Sequence, residues 1–226
     1  LFWLLIGSGF ADSFRTSAGP GGSSYFEYFF PGTILLVVLF TSIFSTLSVI
    51  EDRRDGFLLS VLVAPVSRAA LVLGKILGGA TLALFQGLLL VALSPLIGIR
   101  LGWLQIVEVI AILFVISFAL TALGFYFAWR LDSVQGFHGV MNLVLMPLWL
   151  LSGALFPYSG AHPWMAWAMR LNPLAYGLGG LRRALYGADS GTPSLVWAVT
   201  VMGAFALLAL AASLRQVARP TAGGPA

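Results

Sequence analysis

The chain reads as long apolar runs separated by short polar interruptions. A helix needs about 20 apolar residues to cross a ~30 Å hydrocarbon core. By that measure spans are predicted over 30–50, 75–97, 105–128, 135–156 and 195–214, with the back half of another over 1–11. The expected fold is an all-α polytopic transmembrane bundle of six helices, its first span truncated on the N-terminal side. Residues 1–219 form one transmembrane domain in this reading, and 220–226 a disordered tail. Asp12 to Glu27 is Gly- and Ser-rich and reads as a flexible polar loop. Pro31 then falls at the start of the second span, where a missing N–H costs little.

The polar interruptions carry the information. Glu51, Asp52, Arg53, Arg54 and Asp55, followed by Gly56, lie between two apolar runs. Such a block cannot sit in hydrocarbon and must lie at a membrane surface. Beyond it, Gly56, Ser60, Ala64, Ser67 and Arg68 recur at helical spacing as a small or polar stripe bordered by Phe57, Leu58, Val61, Leu62 and Pro65. That pattern suits a short helix lying in the interface and ended by Pro65, with Ser67 as the N-cap of the helix that follows. Lys75, one or two turns further, is placed to snorkel to the headgroups.

Within the spans, Thr41, Ser45 and Ser48 share one helical face, and Gln135, His138 and Asn142 form a polar stripe beside Gly136 and Gly139. These six residues are the candidates for a translocation path. The plainer alternative for the hydroxyl face is close helix packing, with each hydroxyl bonded to its own i−4 carbonyl. Glu108, about one turn inside the fourth span, reads as a boundary charge, with a titrating role in transport as the alternative. Tyr126, Trp129 and Arg130 mark the exit of that span, and Asp132 and Ser133 offer caps for the next. Between Tyr158 and Pro193, the residues Pro163, Trp164, Trp167, Arg182, Arg183 and Tyr186 predict short helices dipping into the outer leaflet before the last span.

Composition agrees with the pattern. Hydrophobic residues make up 59% of the chain and charged ones 9%, and the mean hydropathy is +0.98, far from the roughly 45–50% apolar content of a soluble domain. A net charge of +4 on so apolar a chain speaks for cationic membrane faces and not for nucleic acid. Cysteine is absent, and the two histidines are a span apart, so no metal site is expected. Gly74-Lys75 is followed by Ile76 and lacks the earlier glycine of a phosphate-cradling loop, so the chain is not expected to hydrolyse a nucleotide alone. No nucleophile–base arrangement or buried carboxylate pair suggests an enzyme.

Two stretches resemble a known family. Glu51 to Phe57, then Leu62-Val63-Ala64-Pro65-Val66-Ser67-Arg68 and Leu73-Gly74-Lys75, look like the charged block and the Pro-x-Ser-Arg and Gly-Lys that follow it in the membrane subunits of ABC-2 type exporters. Ser152-Gly153, Phe156-Pro157, Pro163-Trp164, Asn172-Pro173-Leu174 and Tyr176 resemble that family's outer-surface segment. The chain departs at Asp52-Arg53-Arg54-Asp55, where the family more often has one basic residue between two acids, and at Phe57, where Thr is common. The resemblance implies a multi-pass permease of the cell membrane, most simply the bacterial cytoplasmic membrane. It would work as a homodimer with two cytoplasmic ATPase subunits that hold ATP and Mg, with no cofactor on this chain. Glu51 to Gly56, Pro65 and Arg68 become the ATPase-coupling residues, on the cytoplasmic side. The positive-inside rule agrees weakly: Arg53, Arg54, Arg68, Lys75, Arg130, Arg215 and Arg219 then lie inside, and Arg15, Arg100, Arg170, Arg182 and Arg183 outside. Drugs, lipids and glycans are all possible cargo of such exporters. A carrier driven by an ion gradient, with Glu108 as its titrating group, is the alternative from another class.

Overall fold

The computed structural model describes residues 25–56, 67–155, 162–187 and 194–218, with side chains from Glu27 onward. Every regular element among them is helical: α1 (Tyr25–Phe44), α2 (Leu47–Arg54), α3 (Arg68–Val91), a 3-10 turn (Ser94–Ile97), α4 (Trp103–Ala128), α5 (Val134–Leu150), α6 (Pro163–Leu171), α7 (Pro173–Tyr186) and α8 (Leu195–Ala218). The expected span over 1–11, the interfacial stretch 57–66 with Pro65, Pro157, Arg219 and the tail 220–226 lie outside the described residues.

Four helical stretches are long and apolar enough to cross a membrane: Glu27–Arg54, Arg68–Ile97, Trp103–Ala128 and Leu195–Ala218. α5 has 17 residues, or ~25 Å of rise, about one turn short of a ~30 Å core. The expected span over 135–156 therefore ends early. Pro147 sits inside α5, and the backbone turns out of the helix at Ser152 and Gly153, whose φ of +86° only glycine adopts at little cost. The third span starts earlier than its apolar pattern suggests, because Ser67 accepts a hydrogen bond from the Ala70 N–H at 3.2 Å and caps α3 at Arg68. The same device starts α5, where Ser133 Oγ accepts from the Gly136 N–H at 2.9 Å.

α4 is the hub, packed against α1, α3, α7 and α8. It is apolar almost all round, as a helix enclosed by others must be, and Ile112, Leu113, Ile116 and Leu120 are fully buried. Small residues let its neighbours close in. A Cβ on Gly79 of α3 would collide with Ser45 Oγ and stand 2.8 Å from Thr121 Cγ2. α7 is buried between α1, α4 and α8, while α6 beside it leaves Trp164, Trp167 and Leu171 exposed. The two short helices expected in the outer leaflet thus differ: α7 is covered by protein and α6 is not.

Pro31 lies inside α1 and not at its start, since the helix begins at Tyr25. Its missing N–H leaves the Glu27 carbonyl without a helical donor.

Candidate functional site

The described ends of the helices form two polar zones. At one end, α2 carries the charged block. Between α1 and α2 the ladder tightens: the Ser45 N–H reaches Thr41 O at 3.0 Å, but the Thr46 N–H reaches Ile43 O at 3.0 Å, one residue nearer. The hydroxyls follow the tighter turn. Ser45 Oγ donates to Ser42 O at 2.8 Å, Thr46 Oγ1 to Ile43 O at 2.6 Å and Ser48 Oγ to Ser45 O at 3.2 Å. These are i−3 bonds where i−4 bonds were expected, and competition of side-chain hydroxyls for backbone carbonyls accounts for the break.

In the block, Glu51, Arg54 and Asp55 are exposed, whereas Asp52 and Arg53 are half-buried. Asp52 forms an ion pair with Lys75 of α3, and the Lys75 Nζ also donates to Ser48 Oγ at 3.3 Å. The Lys75 ammonium therefore reaches the charged block. Arg53 donates to Trp129 O at 2.6 Å, to Leu131 O, and to Asp132 Oδ1 at 2.8 Å. Arg68 donates to Val217 O at 3.1 Å, joining the start of α3 to the last described turn of α8. Gly56, with φ of +75°, ends the described part of the block.

The six path candidates are not brought together. Thr41 donates to Gln86 Oε1 on α3, and Ser45 and Ser48 face α3 as well. His138 bonds through Nδ1 to Val134 O at 2.8 Å and stacks on Phe44 of α1, centroids 5.0 Å apart. Gln135 and Asn142 are exposed on the outer side of α5. Gln86 was not among the expected residues, although a lone amide within the apolar run of α3 was a visible signal. No group of three His, Cys, Asp or Glu side chains that could hold a metal occurs among the described residues.

The opposite zone ties α7 to α1 and α5. Asn172 caps α7, its Oδ1 accepting from the Leu174 N–H at 3.0 Å, while its Nδ2 donates to Leu148 O at 2.6 Å near the end of α5. Tyr28 donates to Gly153 O at 2.9 Å, and Arg182 donates to the same carbonyl at 2.9 Å while lying 4.2 Å over the Tyr28 ring. The Trp149 indole donates to Gly32 O at 3.0 Å, and Ser152 Oγ to Trp149 O at 2.6 Å. Tyr186 donates to Glu27 O. Burial pushes the Tyr186 hydroxyl above its usual range; the Glu27 charge adds to this and Arg182 opposes it, so the group remains a donor at neutral pH. Tyr176 donates to Arg170 O at 3.0 Å, joining α7 to α6. The predicted outer-surface residues Ser152, Gly153, Asn172, Pro173 and Tyr176 thus occupy one zone, and Tyr28, Trp149, Arg182 and Tyr186 belong to it too.

A family model described as ABC-2 type transporter matches residues 1–186. The chain is similar to the inner membrane transport permease YadH of Escherichia coli (strain K12), 26% identical over 224 residues, covering 97% of this chain and 83% of that protein. It is also similar to the putative transport permease ycf38 of Cyanophora paradoxa, 25% identical over 178 residues, covering 78% of this chain and 61% of that protein. A ycf38 permease of Porphyra purpurea matches at 25% over 189 residues, 80% of this chain and 63% of that one. The chain thus spans less than two thirds of the length of the two ycf38 relatives.

Proposed function

The chain belongs to the ABC-2 type transporter family, and from that premise we propose that this multi-pass membrane permease is the transport subunit of an ATP-binding-cassette exporter. Two copies pair in the bacterial cytoplasmic membrane, and two separate ATPase subunits holding ATP and Mg dock on the end that carries the charged block. That end then faces the cytoplasm. The exposed Glu51, Arg54 and Asp55 support the docking assignment, because both signs of charge at the rim of an apolar bundle suit ion pairs with a soluble partner. This placement is the observation that carries the reading.

In this reading α5 and the turn after it complete the fifth crossing, and the chain crosses six times in all. The exposed Gln135 and Asn142 of α5 face the second copy, since amides are costly against lipid. ATP-driven closure of the partner moves the block and opens the seam between copies to a drug, lipid or glycan-type cargo. Tagged protein purified from its native membrane is expected to bring down an ATP-binding-cassette ATPase, and Arg54→Glu to lose it. Undiminished capture by Arg54→Glu, or pumping by the isolated chain in liposomes, overturns the assignment.

A further inference from the structure

The charges of the block point two ways. Glu51, Arg54 and Asp55 face outward, but the Arg53 guanidinium reaches across to the corner between α4 and α5. Its acceptors are the Trp129 carbonyl at 2.6 Å, the Leu131 carbonyl and the Asp132 carboxylate at 2.8 Å. Trp129 closes α4, and carbonyls at a helix C-terminus have no intrahelical donor. The negative end of the α4 dipole also favours a cation there. A planar fork with fixed donors matches two carbonyls and a carboxylate in a way a lysine ammonium does not.

What lies beyond the corner gives this contact its consequence. α5 makes its main contacts with α1 and α2 and stands apart from the close pack of α3, α4 and α8. Its outer side, including Leu143 at 77% exposed, is uncovered. α5 is the most loosely packed of the long helices: Trp149 and Asn172 tie its far end to α1 and α7, and among the described residues the polar contacts between the charged block and the corner at its foot come from Arg53. We propose that Arg53 is a positioning residue that carries movement of the block into α5, and not a contact for the ATPase; this rests on the reading of the chain as an ABC permease subunit. Arg54, its exposed neighbour, keeps the docking role. Asp52, through Lys75, fastens the block to α3 in the same manner.

Amide hydrogen exchange tests the clamp in two settings. In the isolated permease, Arg53→Ala is expected to speed exchange over 131–137 by about tenfold or more, the scale of losing charge-assisted bonds that hold a local opening shut. Arg53→Lys should lie between, and Asp132→Asn, at a carboxylate 94% exposed, should give a smaller rise without threatening the fold. In the complex with the ATPase, addition of ATP is expected to change exchange in both 51–56 and 134–142 of the wild type. Arg53→Ala should still capture the ATPase and keep the first change while losing the second. Loss of capture by Arg53→Ala, or an ATP response of α5 that survives it, overturns the proposal. Unchanged exchange in the isolated Arg53→Ala chain refutes the clamp itself. Failure of the wild type to capture any ATPase refutes the parent reading and removes the transmission role with it.

Discussion

The Tyr186 hydroxyl donates to the backbone carbonyl of Glu27, the acceptor for which Pro31, four residues on in α1, has no N–H. A proline inside a helix leaves that carbonyl unsatisfied, and the Tyr186 hydroxyl supplies the missing donor. Tyr186→Phe is expected to lower stability by about 1–2 kcal/mol, read as denaturant unfolding in detergent. Pro31→Ala restores the N–H and should recover part of the loss in the Tyr186→Phe background. A Tyr186→Phe chain as stable as the wild type refutes the assignment.

Asn172 serves two helices at once, as N-cap of α7 and as donor to Leu148 O of α5. Asn172→Ala removes both bonds and is expected to cost about 1–3 kcal/mol. Asn172→Asp keeps the capping oxygen but loses the amide donor. Its stability should fall between the two, and equality with Asn172→Ala would show that the bond to α5 carries the whole effect.

Periodicity and apolar length made the helices legible, because each long run had to bury or cross as a unit. Ser67 and Ser133 were legible as caps for the same local reason: a hydroxyl one residue before a helix has nearby N–H groups to accept from. What the sequence did not show was where polar side chains turn. Lys75 looked free to snorkel, yet the i to i+4 geometry of α2 sets Asp52 and Ser48 beside it. Arg53 and Arg54 looked equivalent, and only the return of the chain at Trp129 to Asp132 distinguishes them. The true length of α5 was hidden too, because Leu151 to Leu155 continue its apolar composition while Gly153 redirects the backbone.

Close packing of α7 is a matter of missing methyl groups. A Cβ on Gly180 would lie 2.9 Å from the Ala198 Cβ and 3.1 Å from Ile112 Cδ1. Gly180→Ala is therefore expected to destabilise by about 1–3 kcal/mol through overpacking. Gly203, in α8, has nothing within 4 Å of a Cβ, and Gly203→Ala should be neutral or gain up to about 1 kcal/mol from helix propensity. Thermal unfolding of the two variants side by side checks the contrast. A stabilised Gly180→Ala contradicts the contact between α7 and α8.

Glu108 decides between the proposed mechanism and an ion-driven carrier. It is half-buried, ~8 Å along α4 from Trp103, and has no ion pair among the described residues. An ATP-driven pump takes its free energy from the ATPase, so neutralising the group should leave coupling intact. Glu108→Gln is expected to keep wild-type ATPase stimulation in liposomes, with or without a proton gradient. If Glu108→Gln abolishes gradient-dependent activity while ATP has no effect on either form, the energy source is the gradient, and Glu108 is the group that carries it.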